Sequence, residues 1–146
     1  MTELVLPRVF PFAGSALPYS IELMRPDDLD QVMPIERASF PAPWPASAYR
    51  YELTQNALSS YLVLRQGHLA DDPRRARLLR VFHKAPVLPI LGYGGFWIIL
   101  DEGHISTIAI HPDWRGQGLG EMMLVALMDA AIASIRLRSA SEKNPS

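Results

Sequence analysis

The spacing of apolar and polar positions changes several times along the chain, and each change marks an element. Ile21-Glu22-Leu23-Met24-Arg25 alternates as a short strand does, and Pro26-Asp27-Asp28 supplies a stop, an N-cap and first-turn acids for a helix. Val32, Ile35, Glu36 and Ser39 then follow helical spacing, which predicts a helix from about Asp28 to Ser39, kinked where Pro34 removes a hydrogen bond. Pro41, Pro43 and Pro45 force extended geometry on the residues before them, so Phe40 to Pro45 reads as a rigid connector carrying two aromatics. Ser47 is predicted to cap a second helix from about Ala48 to Gln55, and Asn56 to Ser59 to turn into a buried strand, Ser60 to Arg65. Gly67 to Pro89 is too long and polar for a link between neighbouring strands; with Arg74, Arg75, Arg77, Arg80 and Lys84 it reads as an exposed insertion.

Ile90 to Leu100 is a strand of aromatic and branched residues interrupted by Gly92, Gly94 and Gly95. A tight turn at Asp101-Glu102-Gly103 would return it as His104 to Ile110, making a hairpin. After His111-Pro112-Asp113-Trp114 comes Arg115-Gly116-Gln117-Gly118-Leu119-Gly120, followed by a helix whose apolar residues run from Met122 to Ile132. Ser134 to Ser146 reads as an irregular tail, with Ile135 to Arg138 its one short alternating piece. Residues 1–20, broken by Pro7, Pro11 and Pro18, read as an extended leader, so the folded part should begin near Tyr19. No internal repeat occurs. The expected fold class is α/β.

Composition narrows the function. With 146 residues, 49% of them hydrophobic and 20% charged, the chain fits one globular domain. Fourteen bases against fifteen acids give a net charge of −1, which argues against direct nucleic-acid binding. Zero cysteines exclude a disulfide scaffold, a thiolate zinc site, an iron–sulfur cluster and cysteine catalysis. His68, His83 and His111 have no mutual spacing that builds a metal site, so no metal is expected. The apolar runs are too short to span a bilayer, and the N-terminus has neither the charged start nor the continuous apolar stretch of a signal peptide. The expectation is a cytoplasmic protein without membrane contact; its oligomeric state is not encoded legibly.

Three glycines at alternate positions, opening a helix after a strand, expose backbone N–H groups at the positive end of a helix dipole. That suits a phosphate or pyrophosphate, and a plain glycine-rich turn is the competing reading. It is no Walker loop, because Glu121-Met122 stands where Lys-Ser/Thr is required, and Gly-x-Gly-x-Gly is not the dinucleotide fingerprint.

The string Ile108-Ala109-Ile110-His111-Pro112-Asp113 with Arg115-x-x-Gly118-x-Gly120 resembles the acetyl-coenzyme A motif of the GNAT superfamily of N-acetyltransferases. Ile35-Glu36-Arg37-Ala38-Ser39-Phe40-Pro41-Ala42-Pro43-Trp44 resembles the first-helix signature of its ribosomal-protein alanine N-acetyltransferases. The likeness covers roughly Ile21 to Ile132. It implies a mixed, mostly antiparallel sheet flanked by helices, acetyl-coenzyme A as cosubstrate, and the N-terminal amine of a ribosomal protein as acceptor. The implied cofactor residues are Ile108, Ala109 and Ile110 for the acetyl-pantetheine arm and Arg115, Gly116, Gln117, Gly118, Leu119, Gly120 and Glu121 for the pyrophosphate. Glu36, Phe40 and Trp44 are the candidate acceptor-binding residues, although the two aromatics could equally be core or lid. Alternatives are a small amine or lysine acceptor, or a non-catalytic acyl-coenzyme A binder.

Family members continue with a strand bearing a glutamate base and a helix bearing a tyrosine that serves the sulfur. Nothing after Ile132 resembles them, and no tyrosine follows Tyr93, so the chain is expected to lack the closing strands and to turn over slowly. No general acid or base can be mapped. Glu102 and His104 are the remaining candidates for proton relay, against the plainer reading of a surface histidine at a strand end. The basic run from Arg74 to Lys84 reads as a solvated loop or as a docking patch.

Overall fold

The computed structural model describes residues 19–67 and 88–143. The leader up to residue 18, most of the Gly67–Pro89 insertion and residues 144–146 lie outside them. Four strands, β1 (Tyr19–Leu23), β2 (Ser59–Gln66), β3 (Ile90–Ile99) and β4 (Glu102–Ile110), form one sheet in sequence order. Between β1 and β2 lie α1 (Leu29–Ser39) and α2 (Ala46–Gln55), and after β4 comes α3 (Leu119–Lys143). All three strand pairings are antiparallel, where the sequence allowed a mixed sheet.

The sheet buries both faces, and the alternation of its strands sorts the core into two layers. Ile21, Leu62, Leu64, Leu91, Phe96 and Ile98 meet Met122, Met123, Ala126, Leu127 and Ala130 of α3. Tyr61, Val63, Tyr93 and Ala109 point the other way, onto Val32 and Ile35 of α1 and Tyr49 of α2. Each buried Leu or Ile of this kind contributes roughly 1.5–3 kcal/mol of transfer free energy. β3 lies in the middle, and its glycines set how close the layers come. A Cβ on Gly94 would stand 2.6 Å from Leu127 Cδ1 of α3, and one on Gly95 would overlap the ring of Tyr61.

One buried cation fixes the opposite side of the sheet. Arg65 of β2 pairs with Asp28 at the start of α1, bonds Glu22 of β1 at 3.3 Å and donates to the Leu88 carbonyl at 2.9 Å. Asp28 also accepts from the Arg25 N–H at 2.8 Å, so one carboxylate both caps the turn into α1 and neutralises the guanidinium. Pro34 sits inside α1 without ending it.

Three expectations are corrected. α2 starts at Ala46 on extended Pro45 rather than being capped by Ser47, because the Pro45 carbonyl accepts from the Ala48 N–H at 3.0 Å and so places Ser47 inside the first turn. The hairpin turn is Leu100-Asp101, with Leu100 at φ 58°, so β4 begins at Glu102 instead of His104. The segment read as an irregular tail continues α3 to Lys143, and Ile135–Arg138 is helix, not strand. No glycine or proline interrupts Leu119–Lys143 beyond Gly120, and Arg, Leu, Ala, Glu and Lys all favour the helix. No helix among the described residues is long and apolar enough to cross a membrane.

Gly95→Ala should lower the unfolding free energy by about 1–3 kcal/mol in urea, since the rigid Tyr61 ring must move. Gly120→Ala, whose Cβ meets nothing nearer than 3.8 Å, should not lower it. Equal effects would show that β3 has slack.

Candidate active site

β4 is the last strand of the sheet, and its pairing pattern decides which backbone groups it leaves open. The His111 N–H donates to the Leu91 carbonyl at 2.7 Å, which makes that pair a hydrogen-bonded one. Counting back through the register Tyr93↔Ala109 and Gly92↔Ile110, Ala109 is bonded to β3 while Ile108 and Ile110 turn their N–H and C=O groups outward. Arg115 agrees, because its Nε donates at 3.0 Å to the outward Ile110 carbonyl. Among the described residues no strand covers this edge.

The chain then makes a short 3₁₀ turn, Pro112–Trp114, closed by the Asp113 N–H on His111 Nδ1 at 3.1 Å. Gly116 and Gly118 follow at φ +78° and +81°, a left-handed backbone that side-chain-bearing residues resist, and nothing lies within 4 Å of where their Cβ atoms would be. The first bond linking this loop to α3 runs from the Met122 N–H to the Gly118 carbonyl at 3.1 Å. The N–H groups from Gly116 to Glu121 therefore meet no acceptor among the described residues, at the positive end of a helix of 25 residues. An anion with several oxygens fits this loop, and an extended chain of amides fits the edge beside it.

The second half of the site lies on the α1–α2 face. Glu36 is 3% exposed and accepts three hydrogen bonds: from Tyr49 Oη at 2.8 Å, from Tyr93 Oη, and from the Trp44 N–H at 3.1 Å. The last holds the Phe40–Pro45 connector against the domain. Trp44 stacks on Trp97 at 6.4 Å and tilts against Tyr49 at 5.6 Å, and Phe40 packs on the α1–α2 core. Burial, with the bond to Glu36 second, pushes both the Tyr49 and Tyr93 phenols well above the ordinary range.

The sequence-derived candidates thus separate into groups. Ile108 and Ile110 leave outward backbone groups at the strand end that leads into the Gly116–Glu121 loop, whereas Ala109 is bonded to β3 and buried in the α1–α2 layer. Arg115 joins this edge differently from expectation: its guanidinium bonds Ile110 O and, at 3.0 Å, Ser39 Oγ at the end of α1. Glu36, Phe40 and Trp44 cluster on the adjoining face. Glu102 and His104 bond each other at 3.1 Å in the open, at the far end of β4. Six residue steps separate His104 from Ile110, about 20 Å of strand. No group of three or more potential metal ligands gathers among the described residues. Sequence reasoning missed Tyr49 and Tyr93; a phenol on an inward strand or helix position needs a buried acceptor, and Glu36 was the acid at helical spacing able to supply it.

Residues 29–145 match the family model described as "Acetyltransferase (GNAT) family". The chain belongs to the GNAT family. It is 36% identical over 105 residues to a Bacillus subtilis protein named "putative ribosomal protein bS18-alanine N-acetyltransferase", covering 71% of this chain and 56% of that one. The Escherichia coli ribosomal-protein-S18-alanine N-acetyltransferase superposes with a TM-score of 0.57 at 21% identity over 77% of this chain and 59% of its own. A ribosomal-protein-alanine N-acetyltransferase from Brucella melitensis gives 0.51 at 21% identity, covering 77% and 71%. The last two establish likeness of fold. The chain spans 56% of the length of the Bacillus protein.

The buried phenols give this GNAT domain an alkaline limit. A phenol whose folded pKa is raised binds its proton more tightly than the unfolded chain does, so its contribution is complete below about pH 10 and is lost as pH rises above that value. Tyr49 and Tyr93 should ionise only together with unfolding, read as a joint change in absorbance at 295 nm and in circular dichroism. Tyr93→Phe should flatten the alkaline loss of stability. Ionisation of both phenols in a folded chain would contradict the buried Glu36 cluster.

Proposed function

We propose that this GNAT domain binds acetyl-coenzyme A and transfers its acetyl group to an N-terminal amine, an alanine-starting ribosomal protein being the preferred acceptor. The observation that carries the reading is that, among the described residues, the N–H groups from Gly116 to Glu121 meet no acceptor and the outward groups of Ile108 and Ile110 beside them meet no strand. Gly116 to Glu121 would hold the pyrophosphate, and the outward amides of Ile108 and Ile110 the pantetheine arm.

The bound thioester supplies an already activated acyl group. The chain has to position a neutral amine against its carbonyl carbon and stabilise the oxygen charge that develops as nitrogen bonds and sulfur leaves. An outward N–H of β4 can do the latter. The amine gives up one proton and the departing thiolate takes one, so net charge balances. Phe40 and Trp44, fixed by Glu36, would form the wall along which the acceptor approaches. The family resemblance of Ile35 to Trp44 and the Bacillus relative's name support the ribosomal acceptor and, with it, a cytoplasmic location.

Calorimetry with coenzyme A and mass spectrometry of an alanine-starting peptide test the two halves of the reading. Gly118→Asp puts bulk, backbone strain and negative charge where the pyrophosphate would sit. Coenzyme affinity should fall by about tenfold or more. Unchanged affinity in that variant would refute the coenzyme site. Acetylation of small amines or lysine side chains with the peptide untouched would instead replace the acceptor.

A further inference from the structure

The outer face of α3 is apolar where a surface helix is ordinarily charged. Met122, Met123, Ala126, Leu127, Ala130 and Ala131 bury one side of the helix, so positions 121, 125, 128, 132 and 136 run along the opposite side. Among the described residues α3 packs on β3 and β4, with this stripe turned outward. Val125, Met128 and Ile132 are 41%, 51% and 46% exposed, and Leu124 beside them is 38% exposed. Single exposed apolar residues are ordinary, but four gathered within about two and a half turns of one helix make a patch. Between Glu121 and Arg136 the one charged residue is Asp129, at the margin of the stripe. Glu121 and Arg136 are both exposed, and among the described residues neither has an ion-pair partner.

The stripe is symmetric along the helix. Glu121 and Arg136 lie about 11 Å to either side of a point between Met128 and Asp129, and Val125 and Ile132 lie about 5 Å to either side of it. A two-fold axis through that point sets Val125 against Ile132 of a second copy, Met128 against its own equivalent, and Glu121 against Arg136 of the second copy. A parallel pairing would instead bring Glu121 onto Glu121 and Arg136 onto Arg136, with the two helix dipoles side by side.

We propose that the outer face of α3 is a self-association surface, on which two copies of this chain pack their α3 helices antiparallel about Met128. The apolar centre supplies the attraction, and the two Glu121–Arg136 pairs at its ends select the direction and register. Three apolar residues a side make a small interface beside the about 1,200–2,000 Å² of a stable complex, so the association is weak and depends on concentration.

Sedimentation velocity of the 146-residue chain, from about 10 to about 500 µM, should show a reversible monomer–dimer equilibrium. Met128→Glu brings two carboxylates together on the axis and should weaken the dimer by about tenfold or more. The circular dichroism of that variant should match the unaltered chain, because the position is exposed. Glu121→Arg and Arg136→Glu should each weaken association by about threefold or more, and the double variant should restore it. A chain monomeric at every concentration would overturn the proposal and leave the face to a segment of the same chain or to another protein. A dimer that survives Met128→Glu would overturn it by placing the interface elsewhere. A double variant no tighter than either single one would overturn the antiparallel register, and this charge exchange still decides if Met128→Glu fails to fold.

Discussion

The approach permitted by missing side chains on β3 governs the architecture. This central strand pairs on both sides, and at Gly94 and Gly95 it presents bare backbone to both layers. On one face Leu127 and Met123 of α3 occupy the space a Cβ at 94 would need; on the other the Tyr61 ring occupies that at 95. A helix seated this low has its N-terminus held in register with the end of β4, through Ile110 and Trp114 packed against the same cluster. The glycine loop is short, so its open N–H groups are placed by where α3 sits more than by the loop's own conformation. Interiors are packed at crystal-like density, and a displacement of α3 by the width of one methyl group would be passed to the loop rather than absorbed.

On the opposite face a charge-bearing group replaces hydrophobic contact as the organiser. Among the described residues no cation pairs with the enclosed Glu36, and burying an unpaired carboxylate is costly unless donors replace its water. Tyr49, Tyr93 and the Trp44 backbone supply those donors from α2, β3 and the connector. Each comes from a different element, so the carboxylate specifies their mutual arrangement in a way that a leucine at position 36 would not. The rigidity of the Phe40–Pro45 connector thus has two sources: three prolines that restrict its own backbone, and one hydrogen bond that fixes where it docks.

Much of this was legible in the sequence where period and backbone chemistry coincide. The hairpin of β3 and β4, the strand–loop–helix order around Arg115 to Glu121 and the existence of α1 all followed from alternation, glycine spacing and capping residues. The continuation of α3 past Ile132 was not legible, because Ser134 to Lys143 is polar enough to resemble a solvated tail. A helix already nucleated upstream propagates through good formers at little cost, which a local reading cannot weigh. The role of Glu36 was half legible: its helical position was clear, but its partners stand 13 and 57 residues away and only the folded sheet joins them. The glycine motif marks Arg115 for an anion, and only the folded chain adds that its side chain bonds the ends of β4 and α1.

That arginine bears on where proposed chemistry would occur. By bonding the outward Ile110 carbonyl and Ser39, it joins the open edge of β4 to the helix that carries Glu36. Both halves of the site therefore meet at the C-terminal end of β4. In the proposed pose an arm running from the glycine loop along Ile110 and Ile108 would point its reactive end toward Ser106, the extra residue where the β3–β4 register slips. Four further residue steps, about 13 Å of strand, separate Ile108 from His104. Hydrogen-bond reach is about 3 Å, so a proton leaving an amine held near Ile108 would not meet the His104 imidazole directly. The exposed Glu102–His104 pair is better understood as a surface contact beside the hairpin turn.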